Sequence, residues 1–241
     1  MLAAQTLMEL RLTLRRGESV LLTLIIPVGL LLFFTKVNLL PDEKVLGGRP
    51  VDFVTPGVLA LAVLSTAFTG QAIATGFERS YGVLKRLGAS ALPRWVLLLG
   101  KTLGVLAVEV LQIVVLVGVG YALGWHPHGS PLAVVLLLIV GTAAFSALGL
   151  LMAGTLRAEA TLAAANGVYL IFLLLGGIVF PLSRLPGALQ GFAKVLPGAA
   201  LATGLRRVLE AGASLPWGDL GLLALWAALA GILAARTFRW E

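Results

Sequence analysis

The sequence contains no cysteine, which excludes disulfides, thiol nucleophiles and thiolate metal sites. Charged residues make up only 12% of the chain, whereas a typical soluble domain carries about a quarter. Hydrophobic residues account for 59%, and the mean hydropathy is +1.01. A chain of this composition cannot cover itself with a polar surface, so we predict an integral membrane protein.

Motifs for catalysis and for nucleotide binding are also missing. There is no His-Glu-x-x-His, no Gly-x-Ser-x-Gly and no clustered carboxylate pair. His126 and His128 lack a third ligand nearby in sequence, so an ordinary turn is expected there and no metal site is predicted. The Gly-Lys-Thr sequence at 100–102 resembles the end of a P-loop, but Trp95 stands where a P-loop needs its first glycine. We therefore expect any nucleotide to bind a different chain.

Long apolar runs of helical character predict an all-α fold with six transmembrane helices, each near the length of about 20 residues that crosses a bilayer. The chain is interpreted as one transmembrane domain, 1–241. It divides into an N-terminal interfacial helix at 1–17, spans 1 to 5 within 18–180, an outer re-entrant segment at 181–215 and span 6 at 216–236. The predicted spans are 18–35, 53–76, 95–122, 131–156, 162–180 and 216–236.

Residues 2–16 predict an amphipathic helix at the membrane surface. The two faces carry Leu7, Leu10 and Leu14 on one side and Gln5, Glu9 and Arg16 on the other. The same stretch also fits the charged start of a signal peptide. No Ala-x-Ala-like site follows the first apolar run, so cleavage is not expected.

The formal charge of +7 is interpreted as a signal for membrane orientation and not for nucleic acid. Six spans place both termini on one side, and ten Lys and Arg residues fall on that side against seven on the other. This bias favours cytoplasmic termini in the inner (plasma) membrane. The ten are Arg11, Arg15, Arg16, Arg79, Lys85, Arg86, Arg94, Arg157, Arg236 and Arg239, and the seven are Lys36, Lys44, Arg49, Arg184, Lys194, Arg206 and Arg207.

Lys101 lies inside the third span, close to its predicted cytoplasmic end. We expect its long side chain to extend back toward the headgroups. Gly100 and Gly104 are four residues apart and predict a smooth patch where another helix approaches closely.

The loop between spans two and three, residues 77–94, predicts a short amphipathic helix on the cytoplasmic side. Phe77, Tyr81, Leu84 and Leu87 follow helical spacing. The charged residues Glu78, Arg79, Lys85 and Arg86 lie among the other positions. Two interpretations stay open: an interfacial helix that turns the chain around, and a helix that docks a soluble partner.

This region resembles the ABC-2 type permeases, the membrane subunits of ABC exporters. The resemblance rests on Arg79, Gly82, the run 84–87 and the pair Leu92-Pro93, which precede a span beginning with Gly-Lys. A second similarity is "FPLSRLPGALQGFAKVLPGAALATGLRRVLEAG" at 180–212, with Pro, two Leu-Pro pairs and Leu-Arg between spans five and six. The six-span count and the amphipathic N-terminal helix also agree with the resemblance to this family.

The resemblance implies a permease that pairs with a second copy or a related chain and moves a hydrophobic or amphipathic substrate, such as a drug, a lipid or a lipid-linked glycan, out of the cytoplasm. It implies no cofactor in this chain, because ATP and Mg would bind a separate cytoplasmic ABC ATPase. Helix 77–94 would then be the coupling helix. The residues expected to contact the ATPase are Glu78, Arg79, Tyr81, Gly82, Leu84, Lys85, Arg86 and Leu87.

The segment 181–215 carries three prolines, Pro181, Pro186 and Pro197, which break regular helix. We expect short helices that dip into the outer leaflet. Four cations in this segment are candidates for contact with lipid phosphates, although a folded cap without a ligand role explains the segment equally well. They are Arg184, Lys194, Arg206 and Arg207.

Polar side chains inside the spans have two interpretations. Glu109 and Gln112 lie one turn apart in the middle of span three, where a carboxylate is costly. Hydrogen bonds between helices are favoured modestly over a substrate or proton site. The candidate pathway residues are Thr66, Thr69, Gln71, Glu109, Gln112, Asn166 and Tyr169. The alternative functions are an ion-coupled secondary transporter that uses Glu109, and a scaffold or membrane enzyme.

Overall fold

The computed structural model describes residues 1–15, 17–37, 49–89, 93–178, 181–212 and 214–238. Within these ranges the chain is helical and contains no strand. The α-helices are α1 (Leu2–Arg15), α2 (Gly17–Lys36), α3 (Pro50–Val63), α4 (Gln71–Ser80), α5 (Val83–Gly88), α6 (Arg94–Ala122), α7 (Pro131–Thr155), α8 (Ala158–Leu175), α9 (Gly187–Lys194), α10 (Pro197–Leu209) and α11 (Trp217–Thr237).

In the described part of the chain, five helical stretches are long and apolar enough to cross a membrane: Pro50–Ser80, Arg94–Ala122, Pro131–Thr155, Ala158–Leu175 and Trp217–Thr237. They correspond to predicted spans two to six and are consistent with a multi-pass membrane protein. The first predicted span falls on α2, whose apolar stretch Thr23–Lys36 is shorter. The six-span arrangement therefore stays a prediction.

The second span is longer than expected, since helix continues from Pro50 to Ser80 with a π-helical stretch, Leu64–Gly70, in its middle. Helix α7 approaches this stretch closely. A Cβ added to Gly149 would lie 2.8 Å from the Phe68 carbonyl oxygen. π-Helical turns inside membrane helices often mark functional regions.

Helix α3 is the centre of the bundle, because every residue from 53 to 63 is buried. It contacts α2, α6, α7 and α10. Just beyond it, Phe68 and Phe145 each pack edge-on against Phe172, with ring centroids 5.8 Å apart in both pairs. Close van der Waals packing of this kind holds helices together in a membrane, where the hydrophobic effect does not drive them together.

Helix α1 and Phe238, the last residue that the structure describes, lie at the end of the bundle that carries α5. Helix α1 packs on the first half of α6, and the predicted close approach at Gly100 and Gly104 is confirmed. A Cβ at Gly100 would lie 2.6 Å from Cγ of Gln5, and one at Gly104 would lie 3.0 Å from Cβ of Glu9. At the other end of the chain, Phe238 is buried against residues of α5 and α6.

The polar face of α1 turns toward the protein. Gln5 and Glu9 are buried, while the leucines at 7 and 14 are about half exposed. Arg16, the third residue assigned to the polar face, lies outside the described residues. The helix is thus bound through its polar face, and its place at the membrane surface stays a prediction.

The segment 181–215 contains a 3₁₀ turn, Leu182–Arg184, followed by α9 and α10. Pro181 and Pro186 directly precede the turn and α9, and Pro197 is the first residue of α10. A proline at or just before the first residue of a helix breaks no intrahelical hydrogen bond, which explains why a helical piece starts at or directly after each of the three prolines. Their position in the outer leaflet stays a prediction.

Candidate functional site

The connection between α4 and α6 differs in shape from the predicted single helix over 77–94. Residues up to Ser80 continue the long second-span helix, and the chain turns at Tyr81 and Gly82. Gly82 has a φ of +71°, a left-handed conformation that favours glycine. Helix α5 follows with six residues. Leu92, part of the predicted Leu-Pro pair, lies outside the described residues.

Helix α5 has an inner and an outer side, and this corrects the role expected for Leu84. Leu84 is fully buried and forms a small core with Leu97 and Phe238, against which Leu87 packs. It is therefore an anchor to the membrane domain and not part of a surface for a partner. Tyr81 is 73% exposed, and Lys85 and Arg86 are exposed as well.

Arg79 and Glu78, at the end of α4, point into the protein. The Arg79 guanidinium donates a hydrogen bond to the Leu156 carbonyl, at the C-terminus of α7. A cation at this position interacts favourably with the unsatisfied carbonyls of a helix end. Arg79 thus fixes the end of α4 to the end of α7.

A buried ion cluster joins α1, α4 and α6. The Lys101 ammonium lies 3.0 Å from one Glu9 oxygen and 2.6 Å from a Glu78 oxygen. Gln5 donates a hydrogen bond of 2.9 Å to the same Glu9 carboxylate. Lys101 is only 5% exposed, so the prediction that it reaches the headgroups is wrong. Two carboxylates inside the protein provide the partners that the headgroups were expected to supply.

A cavity of about 530 Å³ opens beside this cluster, between α1, α2, α4 and α6. Gln71, Thr75 and Glu78 contribute to its wall from one face of α4. Gln71 and Thr75 are buried, and within the described residues neither side chain has a hydrogen-bond partner. Of the predicted pathway residues, Thr66 and Gln71 line this cavity.

Most of the other predicted pathway residues bond within or between helices. Gln112 accepts a hydrogen bond of 2.9 Å from Thr66 and donates one of 2.7 Å to the Thr23 carbonyl. Glu109 is 1% exposed and accepts a hydrogen bond of 2.5 Å from Thr142. These contacts favour the interhelical interpretation of Glu109 and Gln112.

The other three predicted pathway residues, like Glu109 and Gln112, do not line the cavity. Thr69 is half-buried in the π-helical stretch, and its hydroxyl has no hydrogen-bond partner in the described part of the chain. Asn166 is exposed on α8 and donates a hydrogen bond of 2.8 Å to the Leu162 carbonyl, while Tyr169 is half-buried one turn further along. The structure therefore does not bring the seven predicted residues together into one pathway.

Arg206, one of the four candidate lipid contacts, is bound within the protein. Its guanidinium lies 3.8 Å from the centre of the Phe53 ring and donates hydrogen bonds to the carbonyls of Phe53, Gly177 and Ile178. Burial lowers the pKa of Arg206 to about 10, and nearby Glu210 opposes this shift, so the side chain stays charged at neutral pH. Arg206 thus links the start of α3, the chain after α8, and α10.

The remaining three outer cations are on the surface. Arg207 bonds to Asp219 at 2.8 Å, with 61% of its side chain exposed. Arg184 and Lys194 are exposed. These three side chains remain accessible for contact with lipid. In the described part of the chain, no group of three His, Asp or Glu residues lies close enough to hold a metal ion.

Comparisons with known proteins support the resemblance. The sequence profile described as "ABC-2 type transporter" matches residues 3–209. The chain is 24% identical over 243 aligned positions to "Putative transport permease YvfS" of Bacillus subtilis (strain 168), covering 97% of this chain and 95% of that protein. It is also 27% identical over 172 positions to "ABC transporter G family member 20" of Dictyostelium discoideum, covering 70% of this chain and 24% of that protein.

Proposed function

The chain belongs to the ABC-2 type transporter family, and from this premise we propose that it is the membrane subunit of an ATP-driven exporter. Members of this family are membrane transport subunits, and ATP hydrolysis takes place in a separate ABC ATPase. The proposed cargo is a hydrophobic or amphipathic molecule that leaves the cytoplasm. ATP and Mg bind the ATPase in this proposal, and the present chain carries no nucleotide.

The observation that carries the proposal is the two-sided environment of α5. Tyr81, Lys85 and Arg86 form an exposed surface at one end of the bundle. On the inner side, Leu84 is packed against α6 and Phe238. A partner that pushes on the exposed surface would therefore move the ends of two membrane helices together. This is the mechanical connection that a coupling element needs.

The ion cluster extends the same connection to α1. Glu78 lies three residues before Tyr81, and its carboxylate binds Lys101, which in turn binds Glu9. Movement of the turn at Tyr81 and Gly82 would therefore be transmitted to α6 through Lys101 and to α1 through Glu9. We propose that α1, α4, α5 and the start of α6 move as one unit during the ATPase cycle.

The proposed orientation places α5 and both termini in the cytoplasm and the protein in the inner (plasma) membrane. The excess of Lys and Arg supports this side. One end of the bundle carries α1, α5 and Phe238, so all three lie on the same side of the membrane. Segment 181–212 then faces outward, where Arg184, Lys194 and Arg207 are available to lipid phosphates.

We also propose that the functional unit contains a second permease chain, either the same or a related one. The exposed face of α8 is the surface proposed for this contact. It carries Asn166 beside Leu170 and Leu174, which are 53% and 62% exposed. An amide in the middle of a span is costly against lipid, and a partner helix would provide it with hydrogen-bond partners.

Truncating Tyr81 and Leu84 should separate docking from folding. We expect Tyr81→Ala to weaken ATPase binding by about 2 kcal/mol, or roughly thirtyfold, because it removes an aromatic anchor from the docking surface. Leu84→Ala should instead destabilise the membrane domain by about 2–5 kcal/mol, because it leaves a cavity in the core. The measurements are ATPase affinity in nanodiscs and thermal unfolding of the chain alone. Equal ATPase affinity for Tyr81→Ala and the parent would contradict the proposal.

A further inference from the structure

The cavity between α1, α2, α4 and α6 is lined by both polar and apolar side chains. Its volume of about 530 Å³ falls within the range of small-molecule sites, about 300–1,000 Å³. Gln71, Thr75 and Glu78 are spaced four and three residues apart, so they project from one face of α4. Ile73, Val105 and Val108 supply apolar surface. This division fits a ligand with a polar head and an apolar body.

The cavity-facing side of α4 carries buried hydrogen-bonding groups. Gln71 is 5% exposed and Thr75 is 1% exposed, and both line the cavity. Among the described residues, the Gln71 amide and the Thr75 hydroxyl have no hydrogen-bond partner. Burying such groups without a partner costs free energy, so they mark a place that a ligand's polar head can fill.

The net charge of the cavity wall determines which charge is favoured on the polar head of a ligand. In the described part of the chain, the charged side chains lining the cavity are Glu9, Glu78 and Lys101. Two carboxylates and one ammonium leave one net negative charge. Glu9 is bonded to both Gln5 and Lys101, whereas Glu78 uses one oxygen for Lys101 and is 17% exposed. The second Glu78 oxygen is therefore the acceptor best placed for an incoming donor.

Two aromatic rings add to the preference for a cation. Phe77 and Tyr81 both line the cavity, with ring centroids 6.1 Å apart, and Tyr81 is 73% exposed. The faces of aromatic rings attract ammonium groups. Tyr81 also belongs to the proposed docking surface, so an ATPase bound there would lie next to the bound molecule.

We propose that this cavity is a binding site, within a single chain, for an amphipathic molecule with a primary ammonium head. The ammonium donates to Glu78 and Gln71, and the apolar body lies along α6. The same chemistry is found in a free amphipathic amine and in the amine headgroup of a bilayer lipid. Binding of this molecule needs no ATPase and is independent of the proposed function. Its role as the transported cargo rests on the proposed function.

Dansylcadaverine, a fluorescent primary amine with an apolar body, is a suitable probe. The full chain in phosphatidylcholine nanodiscs, without ATPase, should bind it saturably with a blue-shifted emission. The neutral N-pentyl dansylamide should bind at least about tenfold more weakly, because it lacks the charged donor. Binding can be confirmed in this way even if the chain fails to pair with an ATPase, so the two proposals fail independently.

Variants then locate the site. Glu78→Gln should remove the tenfold preference for the amine while keeping an acceptor for Lys101. Gln71→Met, which breaks no hydrogen bond to a described residue, should weaken amine binding by about two- to tenfold. Gln190→Met makes the same substitution on α9, outside the cavity; it breaks hydrogen bonds to the Ser183 and Leu185 carbonyls there and should bind the amine like the parent. Equal binding of both probes to the parent, or a preference that persists in Glu78→Gln, would overturn the inference.

A lipid arm identifies the source of the amine. If phosphatidylethanolamine added to the nanodiscs weakens dansylcadaverine binding to the parent but not to Glu78→Gln, the headgroup amine of a bilayer lipid occupies the site. If it leaves binding unchanged, the site takes a free amphipathic amine. The lipid experiment distinguishes only the source of the amine. The ammonium site itself is tested by the comparison of the charged and neutral probes.

Discussion

Replacing Lys101 with alanine should lower the free energy of unfolding by about 3–5 kcal/mol, the usual cost of removing one partner from a buried ion pair. The reason is that Glu9 and Glu78 would remain close together without the cation that lies 3.0 and 2.6 Å from them. Loss of structure should begin with α1, because its polar face is held by this cluster. Thermal unfolding in detergent and protease access to α1 measure the two effects.

Two further variants distinguish the contribution of the ion cluster to stability from the general cost of a substitution. Arg86→Ala removes an exposed arginine at the same end of the bundle and should change stability by less than about 0.5 kcal/mol. The triple variant Glu9→Gln, Glu78→Gln, Lys101→Met removes all three charges together and should recover most of the lost stability. A Lys101→Ala protein as stable as the parent would show that the cluster does not hold α1 in place.

Replacing Arg206 with methionine should destabilise the opposite end of the bundle by about 3 kcal/mol. The variant removes the donor for three backbone carbonyls and the contact with Phe53, and each acceptor left unpaired costs about 1–3 kcal/mol. Arg206→Lys should recover only part of the loss, because an ammonium cannot reproduce the planar fork of the guanidinium.

The neighbouring arginine provides a matched control. Arg207→Met breaks an ion pair with Asp219 in which the arginine side chain is 61% exposed, so the expected cost is below about 1 kcal/mol. Thermal unfolding of the two variants under the same conditions gives the comparison. If Arg206→Met and Arg207→Met destabilise the protein equally, the carbonyl contacts of Arg206 do not account for its contribution to stability.

Features that depend on local sequence were predictable. Apolar run length predicted five helices that match candidate spans. The spacing of Gly100 and Gly104 predicted a close helix contact, and α1 makes it. The prolines of 181–215 predicted interruptions, and a short helical piece starts at or directly after each of them. All of these signals act within a few residues.

Features that depend on distant partners were not predictable. Helical spacing placed Leu84 on an apolar face, but the sequence did not indicate that Phe238, at the far end of the chain, covers it. Lys101 is predicted from the sequence to reach the headgroups, because nothing local indicates that Glu78, 23 residues earlier, and Glu9, 92 residues earlier, lie beside it. For Arg206 the sequence leaves lipid contact and a folded cap equally open, because the Phe53 carbonyl that it binds lies 153 residues earlier. A buried cation needs a partner, and one sequence does not specify which carboxylate or carbonyl provides it.

Site-specific photocrosslinking from Tyr81 tests the central claim most directly. A benzophenone amino acid at Tyr81, in the exposed turn before α5, should capture a protein that contains a P-loop and is identified by mass spectrometry as an ABC ATPase. The same probe at Leu189, on the segment proposed to face outward, should capture none. Capture of the ATPase from Leu189, or failure to capture it from Tyr81 in membranes that contain the assembled transporter, would contradict the account.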